Sequence, residues 1–162
     1  MTFSEYLEQL ASRHKAIKHS DAECHYSDLS EDAQNAYSHR RMHYPCVVLD
    51  EAGTIFSGSD SQPYDTDIYN ILFVDHVKDT GDANELRATF AKMKEVAKDF
   101  LRRMIRDRKT VKLMNRFSVV DVEMERVFLE AAALYGYVVT LKNTALFLEL
   151  DCNKAFEEEE EE

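Results

Sequence analysis

Apolar residues first recur along this chain at helical spacing. Phe3, Tyr6, Leu7, Leu10, His14 and Ile17 lie three or four positions apart, which predicts an amphipathic helix to about Lys18. Thr2 and Glu5 supply the capping-box pair that opens it. Residues 19–29 are polar and irregular and predict no regular element, whereas 30–42, SEDAQNAYSHRRM, predict a short, weakly amphipathic helix from Ser30. The period changes after Tyr44-Pro45. CVVLDE reads as the first strand, with proline at the opening position where its missing N–H is tolerated. Residues 52–67 read as a loop, with a small hairpin around Ala52-Gly53 and a return strand at Thr54-Ile55-Phe56. DIYNILFVDHV, residues 67–77, is apolar on both faces in its middle and predicts a central strand covered on both sides.

Thr80-Gly81 marks a turn, and Asp82 with Glu85 predicts the N-terminus of a long helix running to about Arg108. Its core stripe is Leu86, Phe90, Met93, Ala97, Phe100, Leu101 and Met104. FSVVDVEMERVFLE then alternates. Val120, Val122, Met124 and Phe128 form an apolar row broken by Arg126, while Asp121, Glu123 and Glu125 share the other face. Tyr135, Tyr137, Val139 and Leu141 continue with the same period. The parity then slips at Lys142-Asn143-Thr144 before Leu146, Leu148 and Leu150, which predicts a β-bulge in one long strand. The expected fold is α+β, a mostly antiparallel four-stranded sheet packed against a long helix and an N-terminal helix. A single domain over 1–153 and a disordered acidic tail over 154–162 are expected.

Charge changes this picture more than composition does. The chain of 162 residues carries −11, of which six charges are the terminal run Glu157–Glu162. Residues 87–116, by contrast, hold eleven of the twenty Lys and Arg against only Glu95, Asp99 and Asp107. A basic helix is thus set in an acidic body. Lys94, Lys98, Arg102 and Lys109 form a stripe along its flank, and Arg102, Arg103, Arg106 and Arg108 sit where cations favour the helix dipole. No signal peptide pattern and no apolar run long enough for a membrane span is visible. Cys24, Cys46 and Cys152 are too few and too widely spaced for a disulfide framework, so a soluble protein made in a reducing cytoplasm is expected.

Three chemistries compete for these residues. Cys24, His39, His43 and Cys46 are candidate zinc ligands, with the two histidines at i, i+4, but no CxxC pair frames them. Asp121, Glu123 and Glu125 lie side by side on one strand face, without the opposed geometry that paired catalytic carboxylates need. GxSxG, HExxH, P-loop and GxGxxG motifs are all missing from the sequence, and His76 reads as a core-edge histidine. No enzyme, cofactor or metal is therefore expected. The basic stretch 94–112 supports either a nucleic-acid-binding regulatory module or a docking surface for the acidic face of a sister subunit. Head-to-tail contact of two unlike surfaces closes into a ring when its rotation permits. Acids turned into the lumen would repel phosphate and let a duplex slide through.

The succession of an N-terminal helix containing KAIKH, the YPCVVLDE strand, the DIYNILFV strand, the long charged helix and the closing YGYVVTLKNTALFLELDCN resembles small structural proteins of tailed-phage and prophage tail modules. These are the tail terminator and head–tail completion (neck) proteins. The resemblance covers most of residues 3–153. It implies a non-enzymatic, ring-forming component, a hexamer, located in the virion at the tail end or head–tail junction. The partners it implies are other copies of itself, tail-tube and neck proteins, and genomic DNA passing through without specific binding; no membrane is implied. On this reading the subunit interface involves Lys94, Lys98, Arg102, Arg106, Lys109, Asp121, Glu123 and Glu125.

Overall fold

The structure is a computed structural model. It describes residues 1–29, 42–59 and 61–146, all but the side chains of Asn115, Val119, Val120, Asp121 and Leu146. Helix α1 (Phe3–Arg13) starts as its sequence predicts. Thr2 Oγ1 accepts from the Glu5 N–H at 3.1 Å, and Glu5 Oε2 accepts from the Thr2 N–H at 2.7 Å. It stops five residues short of Lys18, at the His14 cap. Ile17 still reaches the core, at 1% exposure, through a turn that leaves Lys18 at a positive φ of 56°.

Strand β1 (Tyr26–Asp28) follows, then β2 (Cys46–Ser59) and β3 (Gln62–His76). Helix α2 (Ala83–Asp107) leads to β4 (Phe117–Leu129) and β5 (Leu134–Leu146). The α+β class holds, but the sheet is not the mostly antiparallel four-stranded one expected. It is a curled, mixed, half-barrel sheet. Among the described residues five strands run in the order β1-β2-β3-β5-β4, with β1 parallel to β2 and the other neighbours antiparallel. The missed strand is β1. Three residues are too few to display a period, and one of its two inward positions is Asp28, which breaks an apolar reading.

The expected loop at 52–67 is a second correction. No hairpin turns at Ala52-Gly53; β2 and β3 form one ribbon from Cys46↔Val74 to Ser59↔Gln62, and Gly53 sits at a bulge with φ 143°. Residues 51–59 are exposed, so no buried face forced their side chains to alternate. The third correction concerns β5. It pairs with β3 without any shift from Leu134 to Leu146, and the irregularity lies instead in β4, between Ser118 and Glu123. The expected helix at 30–42 (apart from Met42), Leu148, Leu150 and the tail at 154–162 lie outside the described residues.

Helices α1 and α2 cover one face of the sheet. The main core joins Leu7 and Leu10 of α1, Met93, Phe100 and Met104 of α2, and strand residues Val47, Leu49, Ile71, Phe73, Val139 and Leu141. A smaller cluster of Cys46, Val74 and Leu134 packs on the other face, so the middle of β3 is apolar on both sides, as its sequence predicts. Burying side chains of this size contributes roughly 1.5–3 kcal/mol each before the entropic cost of ordering them. Gly136 of β5 is required by this packing, since a Cβ there would strike the Phe73 carbonyl of β3.

Candidate functional site

The two halves of α2 begin from the same kind of sequence and end in different electrostatic states. Asp82 caps the helix by accepting from the Asn84 N–H at 2.8 Å. Glu85 does not complete the expected capping box; its carboxylate accepts from the N–H groups of Lys78 and Asp79 and so clips the preceding turn. Lys92 ties the helix to the sheet through Asp75 of β3 at 2.7 Å.

In the C-terminal half, most cations already have partners. Lys98 meets Glu95 at 2.6 Å, and Arg102 meets Asp99 at 2.7 Å and Glu95 at 3.7 Å. The hydrogen bond from Lys98 holds the Glu95 carboxyl below its ordinary range. Arg103 Nε donates to Asp107 Oδ2 at 2.8 Å, and the Tyr6 hydroxyl donates to the same oxygen at 3.0 Å. Asp107 is 5% exposed and faces the core stripe, so this acid links α1 to α2. Burial first, and then the bond to Asp107, pushes the Tyr6 hydroxyl well above the usual tyrosine range.

Of the expected interface cations, Lys98 and Arg102 are therefore neutralised within their own helix. Lys94, Arg106 and Lys109 are exposed and have no carboxylate partner among the described residues. Glu123 and Glu125 are exposed as well. Their strand neighbours Val122 and Met124 pack against the main core, so the two acids stand on the sheet face turned away from the helices. They lie opposite Thr140 and Val138 of β5. The Asp121 side chain lies outside the described residues. The structure thus separates the predicted set, with free cations on the helix layer and acids on the open sheet face.

Sequence reasoning overlooked the N-terminal half of α2. Leu86, Arg87, Phe90 and Lys94 line a groove of about 450 Å³ with Arg126 of β4 and Tyr137 of β5. Arg126 lies 4.9 Å over the Phe90 ring, a cation–π contact. Its signal was present in the sequence as the one charge interrupting the apolar row of β4.

The Cys/His region gathers in part. Cys24 Sγ lies 3.6 Å from Met42 Sδ, the His25 and His43 rings are 5.6 Å apart, and His25 Nδ1 lies 2.8 Å from the Pro45 carbonyl. Burial pushes the Cys46 thiol up to about 12, which disfavours the thiolate that a metal or an electrophile would need. Among the described residues, no three His, Cys, Asp or Glu groups are placed to hold a metal ion, and His39 lies outside them. His76 is exposed beside Tyr44, with ring centroids 6.0 Å apart, and is not the core-edge residue expected. No helix among the described residues is long and apolar enough to cross a membrane.

No family model matches this chain, and no curated protein is significantly similar to it. Its function must be argued from the surfaces just described.

Proposed function

We propose that this protein is a non-enzymatic building block that assembles head to tail into a ring. Its place would be the tail end or head–tail junction of a tailed phage or related particle, as a tail terminator or neck component. One observation carries the assembly reading: opposite charges stand on opposite layers. The helix layer offers the exposed Arg106 near the end of α2 and Lys109 just after it, and the sheet face turned away from the helices offers Glu123 and Glu125. Two unlike surfaces of opposite sign steer each copy onto the next and fix its register, and such heterologous contacts close into rings.

Two further features support the reading. The β2–β3 ribbon presents Ile55 at 51% and Phe56 at 69% exposure, an apolar patch at the surface of the kind that interfaces use. The resemblance of the sequence to tail terminator and neck proteins, with its long charged helix and closing strand, is the support for a place in a virion. Genomic DNA would pass through the ring without specific binding, while tail-tube and neck proteins would stack on its rims.

Native mass spectrometry of the full chain tests the assembly. The expected result is a closed oligomer, a hexamer on the family resemblance, that dissociates as ionic strength rises. A monomer at every concentration and salt would refute the reading.

A further inference from the structure

Arg87, Lys94 and Arg126 converge on the groove between the first half of α2 and strands β4 and β5, whose floor is Leu86, Phe90 and Tyr137. Phe90 also meets the rings of Tyr135 and Tyr137 edge-on, at 6.0 Å each. None of the three cations has a carboxylate partner among the described residues, and each is exposed. A groove with three cations that no carboxylate pairs, Arg126 lying over the Phe90 ring, and an aromatic floor suits an occupant that is anionic and carries an aromatic ring. The chain's own C-terminus has that composition, with Phe156 followed by six glutamates, Glu157–Glu162.

We propose that the groove is the docking site for residues 156–162 of a second copy of this chain. The glutamates would pair with Arg87, Lys94 and Arg126, and the Phe156 ring would pack on the Phe90–Tyr137 floor. Charge complementarity selects the segment, and chain length favours a second copy over the same one. β5 reaches Leu146, opposite Tyr64, whereas the groove lies at Tyr137, roughly 30 Å back along the same strand. Ten Cα steps separate Leu146 from Phe156, about 35 Å at full extension, so the segment could enter its own groove only by running straight back. A neighbouring copy imposes no such constraint. The inference rests on the head-to-tail reading and gives adjacent subunits a second link, distinct from the contact between α2 and the open sheet face.

The test uses the full chain with Glu157–Glu162 all replaced by Gln, so that its own tail does not compete. A fluorescent peptide of sequence AFEEEEEE is titrated into it, and anisotropy is recorded at low and moderate salt. We expect saturable binding that weakens by roughly tenfold or more with Arg87→Glu or Lys94→Glu, and similarly with added salt. Lys15→Glu, an exposed charge reversal on another part of the surface, should leave the affinity within about twofold if binding is local. Circular dichroism checks that each variant is folded. Absence of peptide binding would overturn the proposal, as would equal loss with Lys15→Glu, or tighter binding of a single-stranded oligonucleotide of equal charge. Ring formation by the unmodified chain is measured separately. A ring without peptide binding sinks this inference alone, and peptide binding without a ring sinks the assembly reading.

Discussion

The two halves of α2 carry similar charge in the sequence and opposite roles in the structure. From Glu95 onward, acids at helical spacing occupy Lys98, Arg102 and Arg103, and Asp107 joins the helix to Tyr6 of α1. Before Glu95, Arg87 and Lys94 have no such neighbours and face a groove that Arg126 enters from β4. The C-terminal half pairs most of its cations within the chain, Arg106 apart, whereas in the N-terminal half Lys92 is paired with Asp75 and Arg87 and Lys94 stay available to a partner. A count of basic residues does not distinguish these, because available charge depends on what lies one helical turn away and across the sheet.

The sharpest way to break this contrast is Asp107→Ala. It strips a buried acceptor from both Tyr6 and Arg103, and urea denaturation should show a loss of about 3 kcal/mol. A loss below about 1 kcal/mol would mean that the C-terminal half is not structural. Arg126→Ala should cost less, about 1 kcal/mol or under, through the Phe90 contact, while removing most binding of acidic peptide to the groove. A large stability loss there would move the groove into the structural category.

Alkaline pH sharpens the contrast further. The hydroxyls of Tyr6 and Tyr69 are both raised from 10, chiefly by burial, Tyr69 to about 12. For a group raised in the folded state, stability is full below the unfolded value and falls as pH climbs through the folded one. Stability should therefore hold to about pH 9.5 and decline between 10 and 12. Tyr6→Phe should flatten that decline, and denaturation midpoints across the range will show whether it does. The smallest effect is expected at Glu95→Gln, whose partners are exposed; the denaturation midpoint should not move measurably.

What the sequence disclosed follows from burial. Helix starts were legible because Thr2 and Asp82 cap by local bonds, and β3 was legible because Ile71, Phe73 and Val74 are buried on opposite faces. The ribbon at 51–59 was not, since exposed positions hold Gly, Ser and Thr without alternation. Parity at Lys142–Thr144 suggested a bulge in β5, yet pairing fixes that strand against β3 and moves the irregularity to β4. The expected interface residues were found in part. Glu123 and Glu125 do share a face, but the internal partners of Lys98 and Arg102, and the groove built by Arg87 and Arg126, depend on side chains that adjacency in sequence does not reveal.

A charge-swap pair tests the central claim, that α2 of one copy meets the open sheet face of the next. One variant carries Arg106→Glu and Lys109→Glu, and the other carries Glu123→Lys and Glu125→Lys. Each should sediment as a monomer alone, because its two surfaces now repel, and an equimolar mixture should regain the assembly with the two chains alternating. Contradiction would come from either variant assembling alone as the parent does, or from a mixture that stays monomeric.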